Sequence, residues 1–391
     1  MNPGNFHTKL SLLLVSSLTV MSGATIAPAL PAMQAHFEGV EGLWIRLVLT
    51  MPALLIVLAA PVAGVIVDLW GRKYLLIPSI ILYGIAGSSG LYLDSLILIL
   101  AGRALLGVAV AGVMTSATTL IADYYLGTER ARFMGWQAAF MSLGGVIFLI
   151  GGGMLAELGW RWPFVIYLFS LVILPLIIIS LSEPHTTNKF EDAGSKQAEV
   201  NGEHYRLLSF ICFSALIGMI LFYFVPLQIP FYLEMLFDTG PTASGMAIAV
   251  STLFGVFTSL SYGRIRGVIG YIPILGLNFG LMGGGFIIVS LADSYGYVIS
   301  GLAMCGLGMG LMFPNLNVWL ASDMPVAKRG RAIGWLTTAV FLGQFLSPVV
   351  SQPLVQAYGL QVMFFSAGIV LILFSATIVI IRKKINTYTA F

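Results

Sequence analysis

GVIVDLWGRK, residues 64–73, places the charged residues Asp68, Arg72 and Lys73 close together between two long apolar runs. The chain of 391 residues is 58 % hydrophobic and only 9 % charged, with a mean hydropathy of +0.96. Soluble domains are about half apolar and about a quarter charged. The composition therefore predicts an integral membrane protein, in which the quoted stretch is a short polar loop.

Twelve apolar runs reach the length of about 20 residues that a helix needs to cross a bilayer. They are expected near 10–33, 44–66, 74–93, 96–120, 133–156, 162–181, 207–234, 243–263, 272–291, 295–320, 332–355 and 361–381. The first run is too long for the apolar core of a signal peptide and is expected to remain as a span. The predicted fold class is an all-α polytopic membrane protein.

The basic residues predict the orientation of these spans. With the N-terminus inside, 16 of the 19 Lys and Arg residues fall in cytoplasmic segments, and only Arg46 and Arg161 lie near the outer surface. Cytoplasmic loops carry an excess of Lys and Arg. We therefore expect a multi-pass protein of the bacterial cytoplasmic (inner) membrane, with both termini in the cytoplasm.

The quoted loop is part of an internal repeat. Gly64, Asp68 and Gly71 recur as Gly263, Gly267 and Gly270, and ERARFMGW (129–136) recurs as KRGRAIGW (328–335), both at an offset of 199 residues. Duplication of a six-span unit is typical of transporter folds. The predicted organisation is an N-terminal six-helix bundle (1–181), a polar cytoplasmic linker (182–206) and a C-terminal six-helix bundle (207–391).

Several function classes lack their motifs. The chain contains no phosphate-binding GxxxxGK[ST] loop and no HExxH, CxxC or GxSxG motif. Basic residues are scattered without interleaved aromatics, which does not favour nucleic acid. Cys212 and Cys305 lie in apolar runs and are interpreted as buried small hydrophobes. We expect no enzyme activity, cofactor or metal, and no nucleic-acid partner.

The motifs together resemble those of the major facilitator superfamily. The quoted loop is similar to the signature between spans 2 and 3, RALLGVAVAG from Arg103 to that of span 4, GWRWPF (159–164) to the entry of span 6, and MGLMFPNLN (309–317) to span 10. The twelve-span proton-coupled drug and metabolite exporters are the most similar group. Their span 5 signature has a Gly-Pro pair, whereas SLGGVIFLIGGGML here keeps the glycines without the proline. The resemblance implies two pseudo-symmetric six-helix bundles.

The resemblance also implies a gate at the cytoplasmic ends of the helices. Gly64 has no Cβ, so another helix can approach the end of span 2 closely. Asp68 is expected to face the positive N-terminus of span 11, an interaction of roughly 0.3–1 kcal/mol. The alternative is that the loop only orients the protein in the membrane. The predicted gate residues are Gly64, Asp68, Gly71, Arg72, Lys73, Asp123, Arg329 and Arg331.

Arginines and uncharged polar residues form the predicted path for substrate and protons. Arg103 lies deep in span 4, where a charge costs about 2.5 kcal/mol or more and usually faces a cavity or a partner. By resemblance it takes part in proton coupling; the alternative is a brace that binds backbone carbonyls. Arg46 is interpreted either as an anchor at the membrane surface or as a cationic contact at the outer mouth. The uncharged candidates are Gln137, Tyr223, Gln228, Tyr232, Asn278, Asn315, Asn317 and Gln344, some of which are expected only to join helices.

The predicted function is secondary active transport by alternating access. We expect proton-coupled export of an amphipathic small molecule that is neutral, zwitterionic or anionic, such as a drug, a metabolite or a metallophore-like compound, by a monomer embedded in lipid. Few acidic groups lie within the spans, and arginines lie in or near the path, so lipophilic cations are disfavoured. The alternatives are a nutrient uptake symporter, a lipid flippase or, in another class, a transporter-like receptor or scaffold.

Overall fold

The computed structural model describes residues 5–183 and 202–385. Of the predicted linker 182–206, only its two ends belong to the described residues, and residues 202–206 are already helical. The helix after the linker therefore begins at Gly202, five residues before the start predicted from hydropathy.

Helices account for nearly all of the described residues, and no strand occurs among them. They are, in chain order, α1 (Phe6–Ala24), α2 (Leu30–His36), α3 (Gly42–Trp70), α4 (Arg72–Gly87), α5 (Leu96–Tyr124), α6 (Gly127–Ala156), α7 (Phe169–Ser180), α8 (Gly202–Phe222), α9 (Phe224–Phe237), α10 (Pro241–Val268), α11 (Tyr271–Ser290), α12 (Tyr295–Asp323) and α13 (Val326–Ile385). Short 3-10 helices occupy Ala27–Ala29, Ser88–Leu91 and Trp162–Leu168.

Eleven helical segments in the described ranges are long and apolar enough to cross a membrane. The last of them, Lys328–Ile380, has 53 residues. It lies within α13, whose 60 residues would extend about 90 Å as one straight helix, three times the thickness of the hydrocarbon core. The backbone leaves the helical region at Gly359, with φ 81° and ψ 169°. The break divides α13 into two helices that each count as one membrane span. The eleven apolar segments therefore supply the twelve predicted spans.

The helices separate into two compact units. Among the described residues, 5–183 and 240–246 form the first unit, and 202–239 and 247–385 form the second. Inside the first unit α5 packs against α3 and α4, and α6 packs against α1. Inside the second unit α11 packs against α12 and α13, and α13 also packs against α8. The contact of α13 with α8 corresponds to that of α6 with α1, as the sequence repeat leads one to expect.

Two helix irregularities follow from the sequence. Span 7 is interrupted at Tyr223, between α8 and α9. In span 5, the packing of α6 against the end of α1 requires glycine at position 152. A Cβ atom there would lie 2.1 Å from the carbonyl oxygen of Thr25. The glycines of span 5 therefore bring α6 against the end of α1, although the proline of the family signature is missing.

Candidate functional site

The stretch predicted to be a loop is helical except at Gly71: residues 64–70 end α3, and Arg72 and Lys73 begin α4 and bind a carboxylate. Both oxygens of Glu183 accept hydrogen bonds, one from the backbone N–H of Arg72 and one from that of Lys73, each 2.8 Å long. A carboxylate at this position satisfies two N–H groups that have no partner within the helix and faces the positive end of its dipole. Gly71 makes room for it: its φ is 102°, and a Cβ atom would lie 2.6 Å from Glu183 Oε1.

Lys73 makes the reverse contact with α7. Its Nζ donates to the carbonyl oxygens of Ile178 and Leu181, both at 2.7 Å, at the end of a helix where cations are stabilised. Arg72 Nε forms an ion pair of 2.8 Å with Asp123 Oδ2 at the end of α5, and both side chains are partly buried. We call Gly71, Arg72, Lys73, Asp123 and Glu183 the loop cluster.

The other predicted gate residues lie outside the loop cluster. Asp68 is exposed at the last turn of α3. No described atom lies within 4 Å of a Cβ atom placed at Gly64, and the approach of another helix to this glycine stays a prediction. In the second unit, Arg329 Nε donates to the carbonyl oxygen of Met324 (2.9 Å), and Arg331 is exposed.

Arg103 lies in the core of the first unit, with no exposed surface. Its Nε donates to the carbonyl oxygen of Val48 and its Nη2 to that of Ser22, both at 2.8 Å. The guanidinium carbon lies 5.1 Å from the centre of the Tyr167 ring, within cation–π distance. Arg103 therefore joins α5 to α1 and α3, as the alternative interpretation of a helix brace predicted.

One nitrogen of the Arg103 guanidinium takes part in neither of these hydrogen bonds. Nη1 of Arg103 is buried and has no hydrogen-bond partner within the described ranges. The ion pairs found among the described residues are Arg72–Asp123 and Arg161–Asp94, so no carboxylate there neutralises Arg103. A buried cationic donor of this kind attracts an acceptor group, because an unpaired polar group away from water is costly.

Other polar residues of the first unit converge on α1. Tyr83 Oη donates to the carbonyl oxygen of Leu18 at 2.7 Å, and Gln137 Nε2 donates to Ser16 Oγ at 2.9 Å. Gln137 thus contacts α1, the helix to which Arg103 also donates. Since the partners are α1 backbone and hydroxyl groups, these contacts fix α1 against α4 and α6.

In the second unit, three predicted path residues serve as links between helices. Gln228 Nε2 donates to Ser351 Oγ at 3.0 Å, and Tyr232 Oη donates to the carbonyl oxygen of Val289 at 3.0 Å. Asn315 Nδ2 donates to the carbonyl oxygen of Tyr271 at 3.0 Å. None of the three predicted residues has exposed surface. In this conformation the three side chains therefore join helices, and their place on the path stays a prediction.

The remaining candidates occupy different environments. Tyr223 and Gln344 are partly buried, and Asn317 bonds within its own helix, to the carbonyl oxygen of Phe313 (2.9 Å). Arg46 is only 4 % exposed, and its Nη1 donates a hydrogen bond to the carbonyl oxygen of Gly42 at 3.1 Å. This burial does not fit an anchor that reaches the aqueous surface. Asn278 is fully buried, and neither of its side-chain polar atoms has a partner in the described chain.

The sequence analysis missed Glu183, because it was assigned to the linker. The available signal was its position as the first acidic residue after span 6. In the predicted topology span 6 ends on the side of the membrane where span 3, which contains α4, begins. No group of three or more His, Cys, Asp or Glu side chains suited to a metal occurs within the described residues.

Comparison with known proteins places this architecture in a family. The model of the Major Facilitator Superfamily matches residues 12–348 and 229–387. The chain is 23 % identical to the multidrug transporter protein MdtP of Bacillus subtilis (strain 168), over 82 % of the chain and 69 % of MdtP. It is also 23 % identical to the bacillibactin exporter of the same organism, over 86 % of the chain and 87 % of that protein.

A solved structure shows the same fold. A bacterial homologue of the human lysosomal transporter Spinster, in an inward-facing and occupied conformation, superposes with a TM-score of 0.79 at 15 % identity, over 98 % of both chains. The helical fold, the family match and these relatives agree with one another and indicate transport, not enzymatic catalysis. The chain is a multi-pass membrane protein and belongs to the Major Facilitator Superfamily.

Proposed function

We propose that the protein is a proton-coupled exporter of the bacterial cytoplasmic membrane, with both termini in the cytoplasm, that moves an amphipathic neutral, zwitterionic or anionic molecule by alternating access. Export is supported by the relatives, whose names describe a multidrug transporter and a bacillibactin exporter. The positive-inside distribution of Lys and Arg supports the orientation.

The observation that carries the cargo class is the unpaired Nη1 of Arg103. A buried guanidinium with no carboxylate partner in the described chain presents a positive donor, which suits a carbonyl or carboxylate oxygen and disfavours a cation. Arg103 Nη1 is the group that we assign to cargo contact, whereas Nε and Nη2 hold the helix packing.

Asp68 is assigned to the gate. It is an exposed acid at the end of α3, and the family resemblance pairs it with the N-terminus of the span 11 segment. Such a contact stabilises one of two conformations, so losing it changes the populations without altering the cargo site. The loop cluster holds the start of α4 beside this acid.

Flux into inside-out membrane vesicles tests the proposal. With the vesicle interior made acidic, carboxyfluorescein, an anionic amphiphile, is expected to accumulate, and ethidium, a lipophilic cation, is not. Asp68→Asn is expected to slow accumulation at least about tenfold while carboxyfluorescein binding is retained, with Asp293→Asn, an exposed acid in the α11–α12 loop, as the matched control. Accumulation that is independent of the pH gradient would refute proton coupling. Unchanged flux in Asp68→Asn would refute the assignment of Asp68 to the gate.

A further inference from the structure

A cleft between α8 and α13 lies entirely within the second unit and contains none of the predicted path residues; of the predicted gate residues it contains Arg331. It encloses about 560 Å³, a volume in the range of small-molecule sites. The residues that decide its chemistry are Tyr205, Cys212 and Phe213 of α8 and Lys328, Arg331 and Trp335 of α13. We name it the α8–α13 cleft.

The charge of the α8–α13 cleft is wholly positive. Its lining contains Lys328 and Arg331 and no Asp or Glu, and neither base belongs to an ion pair found among the described residues. Both lie in the first two turns of α13, which has no acidic residue in its first turn. Cations at the N-terminus of a helix oppose its dipole, so this arrangement is locally unfavourable until an anion occupies it.

The sequence repeat shows that this arrangement belongs to the second unit. The residue 199 positions before Lys328 is Glu129, an acid in the first turn of α6, where it complements the helix dipole. Arg132 corresponds in the same way to Arg331. The second unit therefore has a base where the first has the favourable acid, and both have the second base, so the helix start in the second unit has the stronger attraction for anions.

The cleft has the depth of one membrane leaflet. The helices touch at Gly343, where a Cβ atom would lie 2.7 Å from the carbonyl oxygen of Leu216. From Lys328 to this contact is about 22 Å of helix at 1.5 Å per residue, compared with about 15 Å for half of the hydrocarbon core plus the headgroup layer. With the orientation proposed above, the cleft opens at headgroup level and closes near the middle of the bilayer.

Polarity changes along the cleft as it does along a lipid. The two bases stand at the open end, and Trp335 follows about 10 Å deeper along α13, at the level where aromatic residues favour the interface. Trp335, Tyr205 and Phe213 are 54 %, 60 % and 52 % exposed, so their rings are available to an apolar chain. A small free anion would contact only the bases and would leave these rings without a partner.

We propose that the α8–α13 cleft binds one acidic phospholipid, with its phosphate between Lys328 and Arg331 and its acyl chains along Trp335 and Phe213. By the orientation proposed above, this lipid belongs to the cytoplasmic leaflet. The site does not depend on the identity or direction of the cargo.

Lipid retention by the full chain tests the site. Native mass spectrometry after release from membranes of mixed phosphatidylglycerol and phosphatidylcholine is expected to show one preferentially retained phosphatidylglycerol. Each base near a membrane surface contributes about 1 kcal/mol toward an acidic lipid, so Lys328→Gln with Arg331→Gln is expected to weaken retention about tenfold to thirtyfold. The matched control is Arg130→Gln with Arg132→Gln, a pair of exposed bases in the first two turns of α6, the corresponding helix of the first unit.

Cys212 supplies a second measurement that needs no substitution. It lines the cleft and is partly exposed, whereas Cys305 is fully buried, so N-ethylmaleimide is expected to modify Cys212. Modification should be slower in phosphatidylglycerol bilayers than in phosphatidylcholine bilayers, and the Lys328→Gln/Arg331→Gln variant should abolish the difference. Equal retention by both double variants, equal modification in both bilayers, or displacement of the lipid by inorganic phosphate at millimolar concentration would overturn the proposal.

Discussion

At the scale of single residues, Arg103 combines a structural task with a free donor. Two of its nitrogens bind the carbonyl oxygens of Val48 and Ser22, and the third has no partner within the described ranges. A guanidinium can do both because its donors form a planar fork, whereas an ammonium is a point charge. The two roles can therefore be separated by substitution.

Arg103→Lys is expected to impair transport nearly as strongly as Arg103→Ala, because lysine keeps the charge but cannot bind both carbonyls and also reach cargo. Removing the side chain takes the Arg103 donor from the buried carbonyl of Val48, at about 1–3 kcal/mol, whereas the carbonyl of Ser22 keeps the hydroxyl of Tyr167 as a donor at 3.4 Å. Arg103→Ala should therefore also unfold at a lower temperature. Flux and thermal unfolding of the purified variants measure the two effects.

Arg161→Lys is the matched control, because Arg161 also donates to two carbonyl oxygens, those of Gly90 and Leu93, but is partly exposed at a helix end. We expect it to keep its transport activity. An Arg103→Lys variant that is stable and inactive supports cargo contact. A fully active variant would show that Arg103 serves only to hold the helices together.

At the scale of helices, the ends of α4 and α7 stabilise each other. Glu183, just after α7, binds the N-terminus of α4, and Lys73, in the first turn of α4, binds the C-terminal carbonyls of α7. Each charge faces the helix end of opposite sign. This reciprocal contact explains why the motif ends in Gly-Arg-Lys: Gly71 admits the carboxylate, Arg72 binds α5, and Lys73 binds α7.

Gly71→Ala is expected to destabilise the protein by about 1–3 kcal/mol, because alanine is strained at a φ of 102° and its Cβ would overlap the Glu183 carboxylate. Thermal unfolding is the measurement. In a Glu183→Ala background the same substitution should cost less, since the atoms in conflict are gone and the two effects are not additive.

Gly359→Ala separates backbone strain from the carboxylate contact. Gly359 has a φ of 81° and a ψ of 169°, close to the 102° and 162° of Gly71, but a Cβ atom there meets no described atom within 4 Å. Its substitution should cost only the backbone strain and therefore less than Gly71→Ala. Equal losses for Gly71→Ala and Gly359→Ala would show that Glu183 contributes nothing at Gly71.

At the scale of the whole molecule, the duplication gives two units whose corresponding helices pack alike, α6 on α1 and α13 on α8, while their chemistry differs. The first unit holds a buried arginine at position 103, whereas the residue 199 positions later is the buried Leu302. The acid Asp68 corresponds in the same way to Gly267. Backbone packing is thus shared by the repeats, and the charged groups are specific to each.

The predicted orientation is tested by single cysteines placed at opposite ends of the spans. Thr128→Cys, at the start of α6, should react with a membrane-impermeant maleimide only in inside-out vesicles. Asp293→Cys, between α11 and α12, should react in intact cells, because both positions are exposed and the bases predict opposite sides. Reaction of Thr128→Cys in intact cells would reverse or disprove the orientation.

The sequence by itself determined the features that depend on local composition and length. Hydropathy located the twelve spans, since crossing lipid requires about 20 apolar residues in one run, and the 199-residue offset revealed the duplication. Tertiary structure alone decided the partners of the polar groups. Glu183 lies more than 100 residues from Arg72, and the acceptors of Arg103 are backbone carbonyls, which no side-chain pattern marks. It also decided that Gly71 admits the Glu183 carboxylate, because close approach depends on which atoms the fold brings to a glycine.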